Sequence, residues 1–473
     1  MPSISQDPQT TPRITKFTNC RLSLNGQLIE QDLWVDSSSG KILQDQQAFY
    51  EHQLCPDQVI DLGGRILAPG FIDVQLNGAR GFDFSVPKET KEEYDAGLKE
   101  VNRALVRTGV TSYLPTLTSQ RGWVYKKVLP SLAPSGAARR PSDGAESLGA
   151  HVEGPFLSPG KPGIHSPAVL QTAHNGLQDL IDCYGAENLF TQPATTNPPV
   201  IKMLTTAPEQ PNILPLLPPL LSRNPSLILS IGHSDATYEQ ALAALSAGAT
   251  MITHLFNAMK PFYHRNPGIF GLLGHQEEPG TQRPYYGLIA DGVHLHPTSI
   301  RIAYNAHPRG MVLVTDAMML CGMPDGVYEW TNGERIVKRG VLLMLEEAED
   351  EEGNGENSGA AGGKKEGKIA GSSATLIECV NNFRRWAGTG IVEAVRAVTE
   401  TPAEMLGVNG VKGVLEAGAD ADLVVLGERG ERGEELTVDQ VWKFGVKVFD
   451  RETDGEGMMD EESREIQGLL NRG

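Results

Sequence analysis

LGAHVE (148–153), LILSIGH (227–233), TMITH (250–254) and MVLVTD (311–316) share one design: a short apolar run that closes on a single polar residue. Those residues are Glu153, His233, His254 and Asp316. Apolar runs of this length bounded by turn signals read as buried strands. Barrels of parallel strands keep their chemistry at the C-terminal strand ends, so the four side chains are expected on one face. Two imidazoles and a carboxylate form a zinc-type donor set with one position open for water. The aspartate is then free to act as a general base. The pattern predicts a metal-assisted hydrolase.

Outward from these four, the strand-type runs number eight: Phe71–Asn77, Thr111–Thr116, Leu148–Glu153, Val200–Thr206, Leu227–His233, Thr250–His254, Tyr286–Asp291 and Met311–Asp316. Helical periodicity fills several gaps, clearly over Thr90–Arg107 and Asp235–Ala247, the latter with Ser234 or Asp235 as the expected cap. Eight strands alternating with helices predict an α/β fold, a (β/α)8 TIM-type barrel. The flanks differ. Ile14–Leu22, Gln31–Val35, Lys41–Leu43 and Val59–Ile66 are short β-type runs, and the texture returns in Gly413–Leu426 and Val441–Phe449. A small β-sandwich domain built from both termini is expected, 14–67 with 411–450, around a catalytic barrel at 68–410. An acidic tail follows at 451–473. Ala133–Glu146, rich in Ala, Ser, Pro and Gly, reads as a mobile loop. The stretch 346–367 is acidic, Gly-rich and poor in apolar residues, and is expected to be a disordered insertion.

The 473 residues exceed one ordinary domain and suit a barrel of roughly 250 or more residues with a smaller unit. The formal net charge of −18 is concentrated: Glu346–Glu356 carries seven acids and no base, and Asp450–Gly473 carries eight acids and three arginines. Surface acid of this kind serves solubility and disfavours nucleic acid or an anionic membrane as a partner. No apolar run approaches the roughly 18 residues of a membrane span. Met1–Arg13 is polar and has no apolar signal core, so it reads as a disordered lead-in to a cytoplasmic protein. Cys20, Cys55, Cys183, Cys321 and Cys379 are scattered and form no CxxC pair, which fits reduced thiols.

Three further features bear on the site. The first strand carries Gln75 and Asn77 on one face. Neutral amides are poor zinc ligands, so one metal rather than two is expected. His151 shares a face with Glu153 and is either a core histidine or a partner of the ligands. Arg265 lies in the loop KPFYHRNPG (260–268), where its planar fork suits a phosphate, unless the loop is simply solvated.

The chain resembles the N-acetylglucosamine-6-phosphate deacetylase family of the amidohydrolase superfamily. The likeness runs in order through PGFIDVQLNG (69–78), HVEGPF (151–156), KPGIHSP (161–167), GHSDAT (232–237), THLFNAM (253–259), RNPG (265–268), IADGVH (289–294), VTDAM (314–318), IAGSS (369–373) and GADADLVVL (418–426). The resemblance implies one divalent metal ion per chain, zinc first, bound by Glu153, His233 and His254. It implies that Asp316 activates water and protonates the leaving amine, and that His165 polarises the acetamide carbonyl. It places Ile164, Asn257, Ala258, Arg265, Asp291, His294, Ile369, Ala370 and Gly371 at the substrate, a small sugar phosphate. It also implies a homodimer, because the basic residue can come from a neighbouring subunit. The reaction expected is hydrolysis of the acetamide of N-acetylglucosamine 6-phosphate in amino-sugar catabolism. The alternatives are a cyclic-amide hydrolase, an aminoacylase, or a non-catalytic barrel scaffold. Many cyclic-amide hydrolases and aminoacylases use His-x-His where this chain has Gln75 and Asn77, and a scaffold would be expected to lose a ligand or the base.

Overall fold

The computed structural model describes residues 13–455 apart from 46, 52, 193–197, 278–281, 331–333 and 347–368. All of the expected lead-in Met1–Arg13 but Arg13 itself, nearly all of the 346–367 insertion and the tail beyond 455 lie outside the described residues. Eight parallel strands form the central sheet: β1 (Phe71–Leu76), β2 (Val110–Leu117), β3 (Ala150–Glu153), β4 (Ile201–Thr206), β5 (Ile228–Ile231), β6 (Met251–Ile252), β7 (Tyr285–Ile289) and β8 (Met311–Val314). The fold is a (β/α)8 barrel. Its strands are buried along all or nearly all of their length.

The barrel closes between its last and first strands. Asp316 N–H donates to Gln75 O at 2.8 Å and Asn77 N–H to Ala317 O at 2.9 Å. Below them the buried Asp73 carboxylate accepts the Thr315 hydroxyl at 2.6 Å. Burial raises Asp73 to about 7, against the opposing hydrogen bonds of Thr315 and Gln75.

Helices follow the strands on the outside. Lys91–Leu105 starts with a capping box between Thr90 and Glu93. The helix after β5 runs Tyr238–Ser246 and is capped by Thr237 with Gln240, not by Ser234 or Asp235. Those two residues are engaged elsewhere: the Ser234 hydroxyl and the Asp235 N–H both donate to Glu209. Between β6 and β7 the outer element is only a 3₁₀ turn, Ile269–Gly274.

The terminal strands form two sheets. One runs, in spatial order, Lys41–Leu43, Leu33–Asp36, Ile14–Thr18 and Gln58–Asp61. The other runs Val446–Asp450, Glu435–Lys443, Leu423–Arg429, Ile66–Pro69, Arg21–Leu24 and Gln27–Glu30. Two runs read as single strands, Ile14–Leu22 and Val59–Ile66, are each broken and cross from one sheet to the other. Asn19 takes the left-handed conformation at the first break (φ 51°), and Gly63 and Gly64 do so at the second. Phe17, Val35 and Ile42 of the first sheet pack on Leu67, Leu423, Val425 and Trp442 of the second. Val424 and Leu426 face the opposite way into the barrel's core, so this strand is apolar on both faces.

A four-stranded antiparallel sheet that the strand pattern did not announce follows β8: Gly326–Glu329, Arg335–Arg339, Leu342–Leu345 and Ile369–Ser372. Its last strand returns to the barrel mouth.

The segment 133–146, expected to be a mobile loop, is packed. It forms two 3₁₀ turns, and Arg139 donates to Gly40 O at 2.9 Å, pairs with Asp420 at 2.9 Å and lies over the Phe444 ring. Glu146, at its end, enters a buried ion cluster. Lys443 Nζ donates to Asp422 at 2.7 Å, to Thr111 O at 3.0 Å and to Glu146. Lys412 Nζ reaches Asp420 at 2.7 Å, Asp422 at 2.6 Å and Glu146. These groups join the six-stranded sheet to the barrel's second strand. Burial alone would raise Asp422, but the charges of Lys412 and Lys443 hold it far below the usual carboxylate range. A depressed carboxylate stabilises the fold above its unfolded pKa, so this contribution is present at neutral pH and fades below about pH 4.

Lys443→Met should therefore leave a buried carboxylate pair with one cation too few. A loss of about 3–5 kcal/mol is expected for breaking a buried ion pair on one side. Urea unfolding of the variant measures it; a shift under about 1 kcal/mol would mean that the cluster is dispensable.

Candidate active site

Glu153, His233, His254 and Asp316 meet at the C-terminal mouth of the barrel, in a cavity of about 330 Å³. The side chains of Glu153, His233 and His254 are at least 95% buried, and Asp316 is partly buried at the cavity wall. Three sit just past a strand in the left-handed region, His233 at φ 47°, His254 at φ 25° and Asp316 at φ 47°. Non-glycine residues pay roughly 1–2 kcal/mol for this conformation. The neighbouring backbone holds them there: Ser158 N–H donates to His233 O, Leu255 N–H to Gly287 O, and Asp316 N–H to Gln75 O.

Three donor atoms converge. Glu153 Oε1 lies 3.1 Å from His233 Nε2 and 2.9 Å from His254 Nε2, and the two imidazole nitrogens are 3.0 Å apart. His233 Nδ1 is 2.9 Å from Lys161 O. A carbonyl only accepts, so Nδ1 carries the proton and the Nε2 lone pair faces the centre. Burial works to raise Glu153, but the neighbouring imidazoles of His233 and His254 hold it well below the usual range. Burial works against a charge on His254, yet the hydrogen bond and charge of Glu153 raise it to about 9. A proton there occupies the position that a cation between the same atoms would take. The set fits a divalent ion.

His165 also approaches Glu153 and His233, its donor atom within 4.8 Å of theirs. Its tautomer separates it from the ligands. Ser119 N–H donates to His165 Nδ1 at 3.0 Å, so Nδ1 holds the lone pair and Nε2 carries the hydrogen. Burial, with the neighbouring His233, lowers His165 to about 3, so the ring is a neutral donor.

Asp316 is raised to about 6, by burial first and by the Glu153 charge second. Asn77 donates to its Oδ1 at 2.7 Å, and Gln75 donates to Glu153 Oε1 at 3.2 Å. The two amides of β1 thus hold the acid residues of the site. Sequence reasoning identified them only as poor ligands; their shared face on a strand adjoining β8 was the available signal.

Among the other expected residues, Ile164, Asn257, Ala258, His294, Ile369 and Gly371 line the cavity. Asp291 stands behind His294, accepting its Nδ1–H at 2.7 Å and the backbone N–H of Val293 and His294. Ala370 packs with Met318, Ile336 and Leu343 beneath the lining. Arg265 is exposed and is absent from the lining of its own chain's cavity. His151 is a buried network residue: Nε2 is 2.7 Å from the Thr205 hydroxyl, which leads to Thr253 and Ser230 under the site. Burial lowers it to about 4. Met318, which closes the VTDAM motif but was given no role there, and Thr118, which no motif covered, also line the cavity.

The comparisons fall into place on this geometry. Residues 66–448 match the amidohydrolase family, which sets the class: metal-dependent amidohydrolases. The chain is 40% identical over 438 residues to the N-acetylglucosamine-6-phosphate deacetylase of Danio rerio, covering 92% of this chain and 97% of the relative. The crystal structure of the deacetylase from Pasteurella multocida superposes with a TM-score of 0.71 at 25% identity, over 92% of this chain and 99% of that one. A Mycobacterium smegmatis deacetylase variant, solved in complex with N-acetyl-D-glucosamine-6-phosphate, superposes with a TM-score of 0.67 at 26% identity, over 93% and 100%. The chain belongs to the N-acetylglucosamine-6-phosphate deacetylase family of amidohydrolases. This sets aside the cyclic-amide hydrolases, the aminoacylases and the non-catalytic scaffold.

Gln75→Leu keeps the bulk and removes the hydrogen bond to Glu153. Loss of such a partner should weaken metal binding by about 10–100-fold, read by competition with a chelator. Unchanged affinity would make Gln75 a packing residue.

Proposed function

We propose that this chain hydrolyses the acetamide of N-acetyl-D-glucosamine 6-phosphate to D-glucosamine 6-phosphate and acetate, in amino-sugar catabolism. The observation that carries the reading is the convergence of Glu153, His233 and His254 opposite Asp316 in one cavity, in a chain 40% identical to a relative of that name. Glu153, His233 and His254 hold one divalent ion, zinc, which when bound acts as a Lewis acid that makes water a better nucleophile and polarises the carbonyl. A second ion is not expected, since Gln75 and Asn77 spend their amides on Glu153 and Asp316.

The protein's own groups do the rest. Asp316, raised to about 6, accepts the proton of the attacking water and returns it to the leaving nitrogen. His165 points its Nε2–H at the carbonyl oxygen and stabilises charge there as a neutral donor. Asn257 Nδ2 is buried without a partner among the described residues and can donate to the sugar phosphate. His294, fixed by Asp291, donates to the sugar. Arg265 serves the phosphate in the site of a neighbouring subunit. Its exposure on its own chain supports this, as do the exposed Phe262 (55%) and Tyr263 (61%) in the same loop, which suit an interface. Five cysteines, four buried and one exposed, form no disulfide among the described residues, which supports a cytoplasmic home.

Acetate release from the phosphorylated sugar, measured with metal content, tests the reading. Asp316→Asn should lower kcat by about a hundredfold or more while metal content stays near that of the parent. Activity within a few-fold of the parent would reject Asp316 as the base.

Arg265→Ala should weaken catalysis on the phosphorylated sugar far more than on free N-acetylglucosamine, by on the order of 1.5–3 kcal/mol for a charged hydrogen bond. Mixing Arg265→Ala with Asp316→Asn subunits should restore activity, because a hybrid dimer regains one whole site. No recovery on mixing would place Arg265 in its own subunit's chemistry or outside it.

A further inference from the structure

Asn77 has a second half that the site does not yet use. Its Nδ2 faces Asp316, donating to Oδ1 at 2.7 Å and reaching Asp316 O at 3.4 Å. Only the amide nitrogen can face a carboxylate, so the orientation of the amide is fixed and its Oδ1 points away. That oxygen is buried and has no hydrogen-bond partner among the described residues, in a residue 3% exposed that lines the cavity. The backbone on either side is pinned: Asn77 N–H donates to Ala317 O, and Phe84 N–H donates to Asn77 O. A buried acceptor held in place without a donor is costly, and the cost is removed when something that enters the cavity donates to it.

What enters is an amide, if the deacetylase reading above holds. Its nitrogen carries one hydrogen and must gain another. Asn77 Oδ1 and Asp316 belong to adjacent side chains, so both can address one nitrogen. We propose that Asn77 is a positioning residue whose Nδ2 immobilises Oδ1 of Asp316, leaving Oδ2 as the proton carrier, while its own Oδ1 accepts the N–H of the scissile amide. The water oxygen forms a bond to the carbonyl carbon and its proton passes to Oδ2. The C–N bond then breaks as Oδ2 gives that proton to the nitrogen, which leaves as the amine. The carboxylate is regenerated and no further reactant is consumed. The N–H accepted by Asn77 turns the nitrogen so that its developing lone pair faces Oδ2.

The test uses the metal-loaded enzyme. Asn77→Ala should lower kcat about 10- to 100-fold, the scale of a misplaced reacting group, with KM and metal content little changed. Its loss should be greater on the amide than on an analogue whose acetyl group is carried through oxygen, which offers no N–H. The hydrogen bond from Asn77 favours the ionised form of Asp316, which faces Glu153, His254 and His294. Its removal should therefore move the Asp316 titration upward, seen by carboxyl NMR without substrate. Asn77→Asp keeps the shape, replaces the donor by a second carboxylate, and should lose more activity than Asn77→Ala. An effect confined to KM, or an unmoved Asp316 titration, overturns the clamp. Equal losses on amide and oxygen analogue overturn the N–H contact. An unmutated enzyme that releases no acetate from the phosphorylated sugar instead refutes the substrate reading, while the NMR titration still decides the clamp.

Discussion

The seam between the last and first barrel strands governs the rest of the structure. A barrel has no free edge only if β8 finds β1, and here the two are joined by Asp316 N–H to Gln75 O and Asn77 N–H to Ala317 O. One polar column on β1 runs up this seam. Asp73 holds Thr315, Gln75 holds Glu153, and Asn77 holds Asp316. All three share one face because side chains on a strand repeat every second residue. A one-residue slip in the closing register would turn the column outward and leave the carboxylates of the site unheld. Closing the fold and positioning the acids are therefore the same set of contacts.

A second constraint fixes the terminal sandwich to the barrel. The ion cluster of Lys412, Lys443, Glu146, Asp420 and Asp422 is drawn from both the barrel and the C-terminal part of the chain. Buried charges tolerate little displacement, since each carboxylate depends on a cation at hydrogen-bond distance. Specific pairing of this kind defines one docking of the six-stranded sheet, where apolar packing alone would accept several. It also explains the order of the segment 133–146: Arg139 anchors its middle and Glu146 its end on this cluster. The composition of that segment, small residues and proline, carried no trace of the anchoring, because the partners lie about 280 residues downstream.

The site was legible in the sequence to the extent that its residues end strands. Glu153, His233, His254 and Asp316 each follow an apolar run, and parallel strands bring such ends together without further information. What remained hidden depends on orientation or on distance along the chain. The roles of His165 and His233 rest on which ring nitrogen is protonated, and that is set by Ser119 N–H and Lys161 O. No side-chain pattern encodes a backbone donor. Ile14–Leu22 read as one strand because apolar residues continue through it, yet Asn19 turns the chain into the other sheet. The sheet from Gly326 to Ser372 was missed although Arg335–Arg339 and Leu342–Leu345 flank a glycine turn at Gly340; its strands are only partly buried and do not alternate cleanly.

The amides of β1 give the site its economy. A pair of imidazoles at positions 75 and 77 would offer lone pairs inward and invite a second cation. Gln75 and Asn77 offer N–H groups instead, and an N–H directed at a carboxylate orients it without competing for a metal. The electrostatic consequence follows. Burial lifts Asp316 towards the pH at which a base both accepts and returns a proton. A second divalent ion beside it would pull that carboxylate back down and leave it a poor acid for the departing amine. Asn77 thus tempers the proton affinity of Asp316 across the same seam that closes the barrel.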